Sequence, residues 1–375
     1  MNQPPTGPSN RLTALYADQG QSPWLDNLRR GWITSGELDR WVENGIRGLT
    51  SNPAIFQKAI DGSADYDDQF GALVREGTPV EGAYWRLVTS DIEGALGALR
   101  PVYEASEGRD GFVSVEVDPS LARDTGGTTT AARELHELID APNLMVKIPG
   151  TAEGLPSIRR MIGEGRSINV TLIFSVPRYR EVMEAYIGGL EDFVAAGATD
   201  LSRVASVASF FISRTDTEVD RRLGDIGSPA ALALQGKVAV AQGQVAYAVF
   251  RETFSGPRWE ALAALGARVQ RPLWASTSTK NPSYRDTLYV DELIGPDTVN
   301  TMPDATIDAF LERGTVARTI DADPAAAQAV LDEVSALGVD LDDVADVLEQ
   351  EGVASFVKSF DELLASLQAK ADTLT

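Results

Sequence analysis

The chain has only six lysines in 375 residues: Lys58, Lys147, Lys237, Lys280, Lys358 and Lys370. Lys147 alone lies inside a tight apolar run, Leu144-Met145-Val146-Lys147-Ile148-Pro149. A buried ammonium group loses hydration, so burial lowers its pKa. An amine nucleophile needs that change, because lysine at its ordinary pKa of about 10.4 is almost wholly protonated at neutral pH. The other course open to Lys147 is to point out of a sheet and snorkel between covering helices. Two carboxylates, Asp26 and Glu116, stand at the ends of other apolar runs. Breaking a carbon–carbon bond by aldol chemistry needs one group to take a hydroxyl proton and another to pass protons as an imine forms and hydrolyses. A Lys-Glu-Asp set at three strand ends supplies those parts. Singly, Asp26 reads better as a cap or turn residue, and Glu116 as a structural partner of Lys147; the set of three shifts the reading toward function.

Around this set stand residues suited to a polar substrate. Asn52 precedes Pro53, which biases it to extended backbone. Its amide suits substrate hydroxyls, or else it simply makes an Asn-Pro turn. Asn169 and Thr171 alternate with Val170 and Leu172, so both face one side of their strand. Arg214 ends the run Phe210-Phe211-Ile212-Ser213-Arg214 of a long apolar strand candidate, with Ser209 five residues before it. A planar guanidinium suits phosphate, and a salt bridge is the alternative. Ser276 and Lys280 in Ser-Thr-Ser-Thr-Lys-Asn-Pro offer a second cationic region. The single histidine, His136, falls in a helical pattern and reads as a surface or packing residue.

These residues must be held by a regular scaffold. Strand candidates occur at 22–28, 45–52, 111–118, 143–149, 167–175, 203–214, 271–277 and 297–303, and helical patterns separate nearly all of them. Such alternation implies a parallel sheet covered by helices, and eight units suggest an α/β fold of the closed (β/α)8 TIM-barrel type. The rival is an open doubly wound sheet. It is weakened because no glycine-rich phosphate fingerprint follows an early strand; the Gly224–Ala230 run reads as a loop. In a barrel the site lies at the carboxyl ends of the strands, where the candidate residues cluster. After residue 320 only helical patterns remain. The chain therefore reads as a tail over 1–10 and one barrel domain over 11–375, which includes terminal helices from about 321 to 375. The Pro-, Asn- and Gly-rich tail is expected to be mobile.

Composition narrows the functions. A net charge of −22 repels nucleic acid and anionic membranes, so a phosphate site must be built locally from cations or backbone N–H groups. With no cysteine and one histidine, disulfides, thiolate catalysis and the common Cys and His metal sites are excluded. No apolar run is long enough to span a membrane, and the first ten residues lack a signal-peptide core, so a cytoplasmic protein is expected. A monomer and a homodimer both fit the sequence.

Five stretches resemble transaldolases: GLTSNPAIFQKAI at 48–60, VSVEVDPSLARDT at 113–125, NLMVKIPGTAEGL at 143–155, INVTLIFS at 168–175 and SFFISR at 209–214. The resemblance covers roughly residues 20–300. The length and extra terminal helices look like the longer bacterial branch of this class I aldolase-type family. The resemblance implies a (β/α)8 barrel, sugar-phosphate substrates and no metal or organic cofactor. It implies Lys147 as the Schiff-base lysine, Asp26 as the acid/base at the C4 hydroxyl, and Glu116 as a proton relay through a water held with Thr171. It further implies Asn52, Asn169 and Ser209 as ligands of the dihydroxyacetone moiety, Phe211 as an aromatic wall, and Arg214 and Ser276 as phosphate ligands. Where the family often has Ser-x-Arg after strand seven, this chain has Ser276-Thr277-Ser278. Either Lys280 takes the second phosphate role or the site has one arginine fewer. The implied activity transfers a three-carbon ketol unit between sugar phosphates of the pentose phosphate pathway. The same resemblance keeps fructose 6-phosphate aldolase as the near alternative, with Glu116 and Phe211 against it. A non-catalytic sugar-phosphate-binding protein is the more distant alternative.

Overall fold

The structure, a computed structural model, describes residues 10–374. Eight strands pair in chain order, all parallel, and close on themselves. They are β1 (Gln21–Leu25), β2 (Gly48–Thr50), β3 (Phe112–Glu116), β4 (Leu144–Pro149), β5 (Ile168–Ile173), β6 (Ser206–Phe211), β7 (Arg271–Ala275) and β8 (Thr298–Met302). Each falls within or beside an expected run, so the closed (β/α)8 barrel is the fold. The strands are shorter than the apolar runs. In particular, the expected strand over 203–214 stops at Phe211, and Ser213 and Arg214 begin the helix Ser213–Ile226 instead. The expected tail lies outside the described residues apart from Asn10, whose side chain caps the helix Arg11–Gln19.

Nearly every strand residue is buried, because helices cover the outside and side chains fill the lumen. Alternation then assigns the faces. Leu25, Leu49, Val113, Val115, Val146, Ile148 and Val170 pack outward in the large core beneath the helices. Trp24, Phe112, Met145, Val207, Leu273 and Val299 belong to a separate cluster that plugs the lumen. Asp26, Glu116, Lys147 and Ser209 lie two residues, or a multiple of two, further along the same faces, so they must line the lumen toward its carboxyl mouth. Gly48 starts β2 because any side chain there would strike Trp24; a Cβ would lie 2.3 Å from its ring.

The opposite end of the barrel is closed by charge. Buried Asp110 accepts from Ser22 (2.7 Å) and Arg47 (2.9 Å), and pairs with Arg271 at 3.1 Å. Burial alone would raise the Asp110 pKa, but Arg271 and Arg47 together hold it below the usual carboxylate value.

The expected terminal helices are Pro324–Ala336 and Leu341–Leu374. The second, about 50 Å long at 1.5 Å per residue, runs along the carboxyl rim of the barrel. Asp343 meets Arg222 at 2.6 Å, Glu349 meets Arg123 at 2.7 Å, Phe360 packs on Tyr84 and Trp85, and Ser366 reaches Asp61 at 2.6 Å. Gly352 lets the helix lie close over β5, since a Cβ would come within 3.0 Å of Leu172. The terminal helices therefore pack on their own barrel.

Candidate active site

Lys147 and Glu116 are register partners on adjacent parallel strands, so their side chains must meet inside the lumen. The Lys147 Nζ lies 3.1 Å from Glu116 Oε2 and donates to the Ser51 carbonyl at 3.0 Å. Both side chains are about 95% buried, with residue exposures of 4% and 5%. Burial pushes the Glu116 pKa up, Lys147 opposes that rise, Asp26 adds to it, and the net direction is upward. A carboxylate that readily takes a proton thus sits beside an amine that must lose one.

Asp26 follows β1 directly, held by its backbone N–H to Met302. Its Oδ1 accepts from Thr50 at 2.8 Å, and the Thr50 hydroxyl is 2.7 Å from that of Thr301. Burial raises the Asp26 pKa, while Lys147, Thr50 and Lys280 pull it back only in part. The structure therefore brings Lys147, Glu116 and Asp26 into one electrostatically coupled group.

Two of the expected site residues are among the buried polar groups that have no hydrogen-bond partner within the described residues: Glu116, whose oxygens make only the ion pair, and Thr171 through its Oγ1. Buried polar atoms are rarely left so, which marks them as contacts for solvent or substrate. Thr171 is reached through an irregular stretch of β5. Register shifts between Val170 and Ile173, and Leu172 takes φ +59°. A leucine in that region costs roughly 1–3 kcal/mol, and such distortions gather where a strand must re-aim a functional side chain.

The other expected polar ligands are partly engaged. Asn52 caps the helix Pro53–Asp61, its Oδ1 accepting from Ile55 at 3.0 Å, which leaves the amide nitrogen for other contacts. Asn169 donates to Ser114 at 3.0 Å and accepts from Ser209 at 2.7 Å, forming a buried chain beneath Lys147. A substrate would have to exchange these bonds in order to use either residue. Phe211 packs against Phe174 with the rings tilted and their centroids 5.1 Å apart, and forms a wall at the same mouth.

A cationic half-site adjoins this wall. The Arg214 guanidinium lies 5.5 Å from the Phe211 ring centroid. Burial lowers the Arg214 pKa, opposed by Glu351. The Lys280 pKa is lowered by burial, then by Arg214 and Lys58, against the pull of Asp26. A lysine whose ammonium form is disfavoured by neighbouring positive charges gains from binding an anion. Ser276 joins them at φ +56°, with its hydroxyl 2.8 Å from that of Ser213. His136 belongs to no site. It is buried in the helix Thr125–Ile139, and burial pulls its pKa down to about 4, with Arg166 adding to the effect.

A family model described as transaldolase/fructose-6-phosphate aldolase matches residues 23–367. The chain belongs to that family. Both chemistries in the description make or break carbon–carbon bonds, so the chain is an enzyme. Transaldolase 1 of Streptomyces coelicolor is 50% identical over 95% of this chain and 94% of its own length. The transaldolase of Thermobifida fusca is 52% identical over 93% and 95%, and that of Saccharopolyspora erythraea 51% over 97% and 98%. The family match, which ends at residue 367, takes in the terminal helices of this chain almost to their end. Among the described residues no helix is long and apolar enough to cross a membrane, and no group of His, Asp and Glu is arranged to hold a metal.

Several contributors were not singled out from the sequence. The Ser51 carbonyl steadies Lys147, and a backbone acceptor carries no residue signature. Thr301 completes the Thr50–Asp26 chain; its only signal was a hydroxyl within the short β8 run Thr298–Met302. Tyr84, buried beside Glu116 and raised in pKa by burial and that charge, comes from a long helix whose pattern spoke only of packing.

Proposed function

We propose that this enzyme is a transaldolase. It transfers a dihydroxyacetone unit from sedoheptulose 7-phosphate or fructose 6-phosphate to glyceraldehyde 3-phosphate or erythrose 4-phosphate. The single observation that carries the reading is the buried Lys147–Glu116 pair at 3.1 Å, coupled to Asp26 at the barrel mouth. A binding protein has no need to bury an ammonium group between two carboxyl groups.

Proton transfer from Lys147 to Glu116 frees the amine, which attacks the C2 carbonyl of the ketose. Glu116, with Thr171 holding the water between them, returns a proton to the carbinolamine hydroxyl, and water leaves to give an iminium. Asp26 takes the C4 hydroxyl proton. The C3–C4 bond breaks, its electron pair flows to the iminium nitrogen, and an enamine remains on Lys147 as the aldose phosphate departs. The iminium is the electron sink that a Lewis acid would otherwise provide. The enamine then adds to the second aldose, Asp26 returns its proton to the new hydroxyl, and hydrolysis releases the product. The upward shift of the Asp26 pKa by burial suits a group that must both take and return a proton. Arg214, Ser276 and Lys280 are the groups we assign to the substrate phosphate, with Asn52, Asn169, Ser209 and Phe211 around the three-carbon unit. Work on phosphorylated sugars in the pentose phosphate pathway suits a cytoplasmic enzyme.

Borohydride added to the enzyme with fructose 6-phosphate is expected to leave a reduced three-carbon adduct on Lys147, read by peptide mass spectrometry. No adduct on any lysine of the folded enzyme at saturating ketose would overturn the Schiff-base reading. Rapid release of dihydroxyacetone in the absence of an acceptor aldose would turn it toward the aldolase.

A further inference from the structure

The cationic half-site is split between two elements that the chain does not otherwise join. Ser213 and Arg214 open the helix Ser213–Ile226, whereas Ser276 and Lys280 lie on the segment that links β7 to the short helix Leu288–Asp291. That segment is about a dozen residues of irregular backbone, mostly exposed from Lys280 to Ser283. Left to itself it would not hold a cation in one place.

A buried polar clamp ties the two together. Asp216 and Asp220 are four apart, so they share one helix face, turned away from Arg214 by about 200° at two residues' separation. Asp216 is 1% exposed. It accepts from the Tyr289 hydroxyl and from the Ala239 backbone N–H, each at 2.8 Å. Asp220 repeats the motif one turn on, accepting from the Tyr284 hydroxyl at 2.5 Å and the Gly236 N–H at 2.9 Å. Gly236, at φ +72°, is required for this packing, since a Cβ there would lie 2.7 Å from the Tyr284 ring. At the near end of the segment, Ser213 N–H donates to the Ser276 carbonyl at 3.1 Å and the two serine hydroxyls meet at 2.8 Å. The segment is thus pinned to one helix at both ends, with Lys280 between the pins.

We propose that Asp216, Asp220, Tyr284 and Tyr289 are positioning residues for phosphate recognition, acting through the placement of Ser276 and Lys280 relative to Arg214. They touch no reacting atom. The inference rests on the phosphate assignment of the preceding section. A substrate phosphate bound between the two elements gains only when their spacing is set beforehand, so loosening the clamp weakens capture of the phosphate without altering the amine chemistry at Lys147.

The test uses Tyr284→Phe and Tyr289→Phe, singly and combined, which remove hydroxyls but keep the rings in place. Three quantities are compared with the parent: KM and kcat for fructose 6-phosphate with erythrose 4-phosphate, the inhibition constant of inorganic phosphate, and the rate at which unphosphorylated dihydroxyacetone is trapped on Lys147 by borohydride. In the double variant KM and the phosphate inhibition constant are expected to rise roughly five- to twenty-fold, with kcat and dihydroxyacetone trapping within about twofold of the parent. Unchanged KM and phosphate inhibition would overturn the clamp. A parallel fall of kcat and trapping would also overturn it, because the hydroxyls would then support the barrel as a whole. Absence of trapping in the parent enzyme would instead strike the catalytic reading, and phosphate binding measured by calorimetry would still decide on the clamp.

Discussion

Replacing Lys147 with methionine should make stability fall with rising pH more steeply than it does in the parent enzyme. In the parent, the Glu116 carboxylate is buried at 5% exposure, with an ammonium 3.1 Å away to offset its desolvation. Lys147→Met keeps the packing volume and removes that offset. Glu116 already has a pKa raised above 4.5 with the lysine present, and losing the lysine raises it further. A carboxyl whose folded pKa is raised binds more protons folded than unfolded. Its ionisation therefore weakens the fold as pH climbs from the unfolded value near 4.5 up through the folded value. At the acid end of that window the variant holds the neutral acid, and the cost is that of a poorly satisfied buried polar group, about 1–3 kcal/mol. By pH 8 the folded state must either carry an unpaired buried charge or keep its proton against the solvent, and the cost approaches the ~3–5 kcal/mol typical of breaking a buried pair. Urea unfolding at pH 5 and pH 8, followed by tryptophan fluorescence, measures the difference through the midpoint at constant slope. Lys147→Met combined with Glu116→Gln should remove most of the pH-dependent part. Equal destabilisation of the single variant at pH 5 and pH 8 would refute the reasoning, because the buried charge would then not be that of Glu116. Turnover that survived Lys147→Met would refute the catalytic assignment independently.

Asp26→Asn keeps the shape of the side chain but removes the base, so kcat should fall by about 10²- to 10⁴-fold while borohydride trapping of dihydroxyacetone on Lys147 persists; loss of both together would argue that Asp26 serves imine formation instead. Arg214→Met should raise KM for fructose 6-phosphate more than Lys280→Met does, since a guanidinium can bind phosphate in two places and an ammonium in one; steady-state kinetics with equal effects, or none, would count against the phosphate assignment. Gly48→Ala places a methyl about 2.3 Å from the Trp24 ring and should destabilise the barrel by roughly 1–3 kcal/mol or more, read by urea midpoint; a neutral result would show that the lumen plug is looser than its geometry.

The positions of all eight strands were legible because each is a short apolar run buried on both faces and bounded by helical patterns. A helix-covered barrel imposes that signature residue by residue. Lys147 was legible for a related reason: charge in such a run is costly enough to need a cause. The end of β6 was misread. Phe210, Phe211 and Ile212 continue an apolar run that periodicity cannot divide, whereas the backbone turns into a helix at Ser213 and carries Arg214 with it. The irregularity at Leu172 has no local signal at all, because leucine is a poor choice for positive φ and only the surrounding packing enforces it. Asn52 was correctly located at a strand end, but its capping of the next helix and the mutual engagement of Asn169 with Ser209 depend on what lies opposite them.

By itself the sequence determined the alternation of strands and helices, the one lysine within an apolar strand run, the carboxyls Asp26 and Glu116 at the ends of other runs, and the absence of thiol chemistry. These follow from residue type and local periodicity, which folding does not alter. Only the tertiary structure decided that Glu116 faces Lys147 in register, that Thr50 and Thr301 support Asp26, that two Asp–Tyr pairs tie the Ser213 helix to the segment carrying Lys280, and that the last helix lies along the mouth. Each of these joins residues far apart in the chain, and barrel closure sets which of them meet. A short-range pattern constrains which face a side chain takes, whereas the partner across that face is fixed by the shear and packing of the whole barrel.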